Sequence, residues 1–451
     1  MEFEIHPEAK KNFDKKARQI LSKVTKVELP KRCKQNKKSN FFVTQTITDE
    51  DIIGDIKTHL EDGMGYEKGM LFIIDGIEYG IINNDYKEYL NLCIEIQKTP
   101  HLRDLINVNY IKTLLHDWIK DSFTNKTNSS FIDYVIKNGK DAIKKYVIWI
   151  PVPFTSIESD FSIGNIIFWT ITEDIIEEWF DESLIEDKDP AQQNNVSKYK
   201  EKIQKDYQGY AVGVYECEAE RGKAEELAYY HFKKSLSILR LLSGANLLPE
   251  LVSGAYEYGR KMFRRKTYFL LEKDGIGFSH NDELIDNGLY FNIDKMTIDM
   301  MGKGELKRLS EILSVENPNE FQKKIIESLI IYSKHTIRYD LYDKILYILV
   351  GLESILIKNT TESIQQNLGD RMALLIGKTL HQRKDIAKNI KEIYSIRSNF
   401  IHHGQTAIDR LDLIKMFMYN SWITFSQIVN NMDNFDTKEE FINAIDNLKY
   451  S

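Results

Sequence analysis

Residues 396–405 read "IRSNFIHHGQ" and place Arg397, Asn399, His402 and His403 within seven positions, directly before Gly404. An unperturbed histidine, with a pKa of about 6.5, can take up or deliver a proton at neutral pH. An arginine offers forked donors to phosphate oxygens, where charge builds in a transition state. Asn399 can add a hydrogen bond. Together these groups suit metal-free RNA cleavage, in which the ribose 2′-hydroxyl attacks the neighbouring phosphorus. That reaction needs no carboxylate cluster, and none lies beside the motif.

Spacing constrains how these groups meet. Arg397 and His402 are five residues apart, Arg397 and His403 six. Each residue of an α-helix advances about 100°, so His402 lies about 140° from Arg397 and His403 about 120° away on the other side. Either the helix breaks between Arg397 and Gly404, or the groups meet counterparts from a second copy of the chain. Local charge suits a phosphate backbone: residues 371–410 carry eight Lys and Arg against three acids, a local +5 in a chain of −7. The plainer reading is structural. Two histidines can close a helix at its negative end, with Gly404 as the cap. "HHG" has no further ligand at metal-binding spacing.

The elements around the motif read as helices from about residue 319. "NEFQKKIIESLIIYSKH" is the first, and the second aligns Leu341, Ile345, Ile348, Leu352 and Ile355. A short third includes "RMALLIGKTL" (371–380); the fourth carries Ile386, Ile390 and Ile393 into the motif. A fifth aligns Leu411, Ile414, Met418, Trp422, Phe425 and Val429. Pro318 is the last proline, consistent with an all-helical domain over 319–451. Glu353 reads as a helix residue with a hydrogen-bond partner that could also touch the site. Glu392, five residues before Arg397, could orient it but reads more simply as solvated. Phe400-Ile401 looks like a buried step.

Residues 1–318 read as mixed α and β, in one or two subdomains. A helix is expected over 48–63, capped by Thr48 and ended by Gly63. Asp75-Gly76 marks a hairpin in "MLFIIDGIEYGII", and "TYFLLEKDGIGFS" offers a second Asp-Gly turn. Strands are expected at 146–153, 165–172, 210–217 and 289–298, an exposed loop at 186–198, and an amphipathic helix at 223–242. "RKMFRRK" (260–266) reads as a solvated strand edge or turn, although its aromatic and cationic mix could bind RNA or a phage component. No phosphate loop, G-x-S-x-G or paired metal-ligand pattern occurs in this region.

Composition sets the outer limits. With 451 residues and 42% apolar content, the chain can bury sizeable cores. Its net acidity confines any nucleic-acid contact to a local patch. Cys33, Cys93 and Cys217 are scattered, which fits a reducing compartment. The opening "MEFEIHPEAKKNFDKK" is too charged for a secretion signal, and the most apolar long stretch contains Asp343 and Glu353. The expectation is a cytoplasmic protein with no membrane span.

"IRSNFIHHG", the upstream "DKILYILVGLESIL" around Glu353, and "GDRMALLIG" resemble the conserved parts of an Apea-like HEPN domain. The resemblance covers about 319–430. "YAVGVYECEAERGKAEELAYYHFKKSLSILRLL" also resembles the strand and helix found ahead of such domains. Ser398 follows the arginine directly, with Asn399 one place later, and the doubled histidine leaves His402 and His403 both as candidates. The resemblance implies an α+β protein whose mixed N-terminal region precedes an all-α HEPN bundle that forms a homodimer. It also implies metal-independent endoribonuclease activity in many members, without a cofactor, and roles in antiphage defence or toxin-like growth arrest. Arg397 and His402 take the family's arginine and histidine positions by spacing. The N-terminal region would then sense a phage or cellular trigger, or restrain the nuclease. The alternative is a non-catalytic HEPN protein that binds RNA or a nucleotide, or scaffolds a partner.

Overall fold

A computed structural model describes residues 5–27, 58–61, 67–180, 190–257, 265–271, 278–284, 291–301, 303–359, 361–403 and 410–449. They form mixed α+β structure in two compact units, residues 1–146 with 216–227 and residues 147–215 with 228–451. Among the described residues, no helix is long and apolar enough to cross a membrane.

In the first unit, helix α1 (Pro7–Leu21) begins on a proline, whose missing N–H costs nothing there. Strands β1 (Thr25–Lys26), β2 (Thr58–Glu61), β3 (Glu67–Ile74) and β4 (Ile77–Ile82) make an antiparallel sheet of order β1-β4-β3-β2. Asp75 and Gly76 have φ of 49° and 75°, the paired left-handed residues that a two-residue hairpin demands. Helices α2 (Asn83–Gln97), α3 (Pro100–Arg103), α4 (Val108–Phe123) and α5 (Phe131–Ala142) complete the unit, around Tyr86, Tyr89, Leu115 and Phe131. The helix expected over 48–63 is corrected at its end. Residues 48–57 lie outside the described residues, but Thr58–Glu61 is a strand against β3. Its backbone groups fill the hydrogen-bonding edge that β3 would otherwise leave open.

The second unit opens with β5 (Ile143–Val152), β6 (Thr155–Ile157), β7 (Phe161–Ile163) and β8 (Ile166–Thr170), followed by α6 (Glu173–Trp179) and α7 (Pro190–Tyr207). Then come β9 (Ala211–Glu220) and α8 (Arg221–Arg240), of which residues 216–227 belong to the first unit, the hairpin β10 (Arg265–Leu271) and β11 (Phe278–Leu284), β12 (Phe291–Ile293), α9 (Lys295–Met301) and α10 (Gly304–Ser314). The main sheet has the order β5-β9-β8-β7, while β12 pairs in parallel with β6. Two sequence expectations are corrected here. The supposed loop at 186–198 is helical from Pro190, because proline is favoured at a first helical turn and polar residues suit an exposed helix. The strand expected over 289–298 ends at Ile293. Asp294 Oδ1 accepts the Thr297 backbone N–H at 2.8 Å and starts α9 instead. The second Asp-Gly turn and 260–264 of the basic stretch lie outside the described residues; Arg265 and Lys266 open β10.

After Pro318 every described regular element is helical: α11 (Glu320–Ser333), α12 (Leu341–Leu356), α13 (Ile364–Ile376), α14 (Leu380–His403), α15 (Leu411–Asn430) and α16 (Lys438–Asn447), with short 3-10 turns between. A reciprocal box of Asn319 and Gln322 starts α11, and Asp340 caps α12 through the Tyr342 and Asp343 N–H groups. The third helix begins earlier than expected and ends at Ile376; α16 was not anticipated. The core does not stop at 318. One buried cluster runs from Ile150 and Phe168 on the sheet through Phe232 on α8 to Leu352 and Ile390. Residue 319 thus marks a change of element type inside a larger compact unit.

Arg371, only 3% exposed, locks these helices together. It donates to both Glu362 carboxylate oxygens at 2.9 and 3.0 Å, to both Asp446 oxygens at 2.9 and 3.0 Å, and to the Leu356 carbonyl at 2.6 Å. These hydrogen bonds hold both carboxyls below their ordinary range. Arg371→Met is therefore expected to cost about 3 kcal/mol, near the low end for a broken buried pair. Its partners retain 17% and 27% exposure, which tempers the loss. The sign of the pH effect follows from linkage. Carboxyls depressed by folding add stability that is complete above their unfolded pKa of about 4 and is lost as pH falls through the folded values. Urea titrations should show the wild-type advantage at pH 7 shrinking steadily in acid.

Candidate functional site

Helix α14 is continuous from Leu380 to His403, so the helix does not break between Arg397 and the histidines. Ile390 and Ile393 are buried and fix which face meets the core. Arg397 is then carried on the flank that meets α12. Its Nη1 lies 3.7 Å from Glu353 Oε1, and its side chain stays about one-third exposed (33%). Tyr394, one turn earlier, donates its hydroxyl to the same Glu353 Oε1 at 2.6 Å. Burial first, and then the Glu353 carboxylate, push the Tyr394 hydroxyl pKa upward, so it remains a donor. The guanidinium carbon sits 5.9 Å from the centre of the Tyr394 ring.

The Arg397 cluster is incompletely satisfied. Nε of Arg397 is buried and has no hydrogen-bond partner among the described residues. At 3.7 Å its pairing with Glu353 is an ion pair without a short hydrogen bond. The guanidinium therefore has a donor without an acceptor among the described residues, while the side chain as a whole stays one-third exposed. Glu353 has the hydrogen-bond partner expected of it, and its carboxylate also lies beside Arg397. Glu392 does not reach Arg397; it pairs with Lys388 at 4.0 Å.

Ser398, Asn399 and His402 are all exposed, and among the described residues no hydrogen bond or ion pair joins His402 or Asn399 to Arg397. Of His403 only the backbone is described. The expected buried step is corrected: Phe400 is 38% exposed and Ile401 55%. Both lie past the last buried turn of α14. Phe400 instead stacks its ring on Tyr342 of α12 at 3.9 Å and 16°. Sequence reasoning missed Tyr394 and Tyr342. The i, i+3 spacing of Tyr394 and Arg397 was the available signal for the first.

The arrangement presents a guanidinium beside Glu353 on the α12 side of α14 and the His402 imidazole in the exposed last turn of the same helix. Among the described residues, no three His, Cys, Asp or Glu side chains gather into a metal-binding group. No family model, curated protein or solved structure matches the chain.

The cluster gives an ordering of stabilities. Tyr394→Phe strips Glu353 of a half-buried donor and should cost about 1–2 kcal/mol. Arg397→Ala removes a partly solvated pair and should cost about 1 kcal/mol or less. Urea denaturation of the two variants checks the order; a larger loss for Arg397→Ala would show the arginine to be chiefly structural.

Proposed function

We propose that this chain is a metal-independent endoribonuclease of the HEPN type, acting as a homodimer in antiphage defence or toxin-like growth arrest. The observation that carries the reading is Arg397: a guanidinium with a buried, unpartnered Nε, flanked by Glu353 and Tyr394, in the R-x4-H motif. In this reading Arg397 holds the scissile phosphate and stabilises the charge that builds on its oxygens. His402 moves the proton between the 2′-hydroxyl and the leaving oxygen. His403 and Asn399 contribute phosphate contacts. Glu353 and Tyr394 act through Arg397, as positioning residues.

Homodimer assembly is supported by the unbroken helix. Because Arg397 and His402 point about 140° apart on it, one straight copy cannot aim both at a single phosphate. A two-fold pair can present the arginine and histidine of both motifs to one cleft. Exposed apolar side chains offer material for such an interface. Leu380 on α14 is 70% exposed, and Met416 and Tyr419 on α15 are 51% and 56% exposed.

A second reading, a non-catalytic HEPN module that binds RNA or scaffolds a partner, is favoured by one feature. Glu353 already neutralises much of the charge on Arg397. Incubation with total cellular RNA separates the two. Arg397→Ala and His402→Ala should each lower cleavage by about 100-fold or more with melting temperature unchanged, and His403→Ala by about tenfold. Arg397→Lys should rescue poorly, because lysine lacks the fork. A chelator should leave cleavage intact, and products should carry 2′,3′-cyclic phosphate or 3′-phosphate ends. Light scattering should report a dimer. Magnesium-dependent products with 3′-hydroxyl ends would move the chemistry to another site, and no cleavage at all would favour the scaffold.

A further inference from the structure

Three of the five tryptophans in the chain gather far from the motif in sequence, at Trp149, Trp169 and Trp179. Alternation along β5 turns Ile148, Ile150 and Val152 to the main core and leaves Val147, Trp149 and Pro151 on the opposite face of the sheet. Helices α6 and α7 lie over that face, where Ile171, Ile176, Val212 and Val214 are buried. Between helices and sheet remains an open cleft of about 770 Å³. Trp149 and Trp179 form its corner, edge to face at 5.1 Å and 74°. Tyr207 adds a third aromatic wall, and Trp169 stacks behind Trp149 at 5.9 Å and 22°.

Among the described residues, one charged side chain lines this cleft, Glu178. Its neighbour Glu177 is paired with Lys200 at 2.5 Å. Glu178 has no ion-pair or hydrogen-bond partner for its carboxylate among the described residues. Val147 and Trp179 remain 52% and 37% exposed, an apolar surface left uncovered next to an unpaired negative charge.

We propose that this cleft binds an organic cation of the quaternary or methylated ammonium class. Aromatic faces present negative quadrupole charge, and Glu178 adds a full negative charge, so the cleft attracts cations and repels phosphate. The apolar remainder of the lining, Val147, Pro151, Ile171 and Ile203, disfavours a strongly hydrated primary ammonium. A methylated head keeps its charge, sheds water more readily and covers the ring faces. The site is separate from the arginine–histidine chemistry, and its test needs no RNA.

The three tryptophans report on occupancy directly. The full-length protein is titrated with choline at constant ionic strength while indole fluorescence is followed. The neutral isostere 3,3-dimethylbutan-1-ol, adenosine and the variant Glu178→Gln are titrated alongside. Choline should give a saturable change, with the alcohol about tenfold weaker, as expected for the loss of a cation–π contact. Glu178→Gln, at an exposed position, should keep its melting temperature and bind choline several-fold more weakly. A flat response to choline overturns the proposal. So does equal binding of the alcohol, tighter binding of adenosine (which would make the cleft a base-stacking site), or unchanged choline affinity in Glu178→Gln.

Discussion

A guanidinium buried among helices must find an acceptor for each of its five N–H groups, and Arg371 does. Two go to Glu362, two to Asp446 and one to the Leu356 carbonyl. The pattern ties the end of α12, the turn after it, α13 and α16 to a single point. Leu356 lies three residues beyond Glu353, so fixing its carbonyl also fixes the last turn of the helix that carries Glu353. Helix α14 then packs along α13, where Gly369 faces Ala387 and Ile390 with only ordinary contact room for a side chain. The Tyr394–Glu353 hydrogen bond sets the position of α14 against α12. The placement of Arg397 therefore follows from a polar network two helices away as much as from its own surroundings.

The two arginines differ in satisfaction. Arg371 has every donor used and almost no solvent contact. Arg397 has a buried Nε with no acceptor among the described residues, a longer approach to its carboxylate and one-third of its side chain in water. Buried polar groups are ordinarily paired, so an unpaired one marks a place where local stability has not been optimised. The same contrast separates Glu177, held by Lys200, from Glu178, which faces an aromatic cleft alone. Each pair contrasts a satisfied group with an unsatisfied one of the same type. Architecture accounts for the first of each pair; the second is the group on which each proposal above rests.

Helices with a clear apolar period were legible in the sequence, because burial of Ile345, Ile348, Leu352, Ile390 and Ile393 is what creates the period. The Asp-Gly hairpin was legible because few residues tolerate two left-handed positions in a row. Elements without such signals were not. Helix α7 is too polar to show a period, and strand β2 depends on the open edge of β3. Helix α16 had a readable start, since Thr437 accepts the Glu440 N–H at 3.2 Å ahead of buried Phe441, Ile442 and Ile445. At the site, spacing alone exposed Arg397 and the histidines. Glu353 and Tyr394 are 41 residues apart, and only packing shows that they meet. Phe400-Ile401 misled because apolar type was taken for burial, whereas both residues lie in the last, exposed turn of α14, where only Phe400 finds a partner, the Tyr342 ring.

The tie between Arg397 and Glu353 bears on whether the proposed chemistry is feasible. A phosphate bound at Arg397 would have to share the guanidinium with a carboxylate already beside it. An ion pair one-third exposed and lacking a short hydrogen bond is worth about 1 kcal/mol or less. A phosphate offers two oxygens in the geometry that a guanidinium fork matches, and charge-assisted pairs of that kind are roughly twice as strong as neutral hydrogen bonds. The exchange therefore favours the phosphate, provided Glu353 keeps another donor when it lets go. Tyr394 is that donor: its hydroxyl is held protonated beside Glu353, so the carboxylate is not left bare. Glu353 would hold the arginine in place when the site is empty and yield it when substrate arrives. Among the described residues no imidazole lies on the arginine's own side of the helix, and in the proposed dimer the facing copy would supply one.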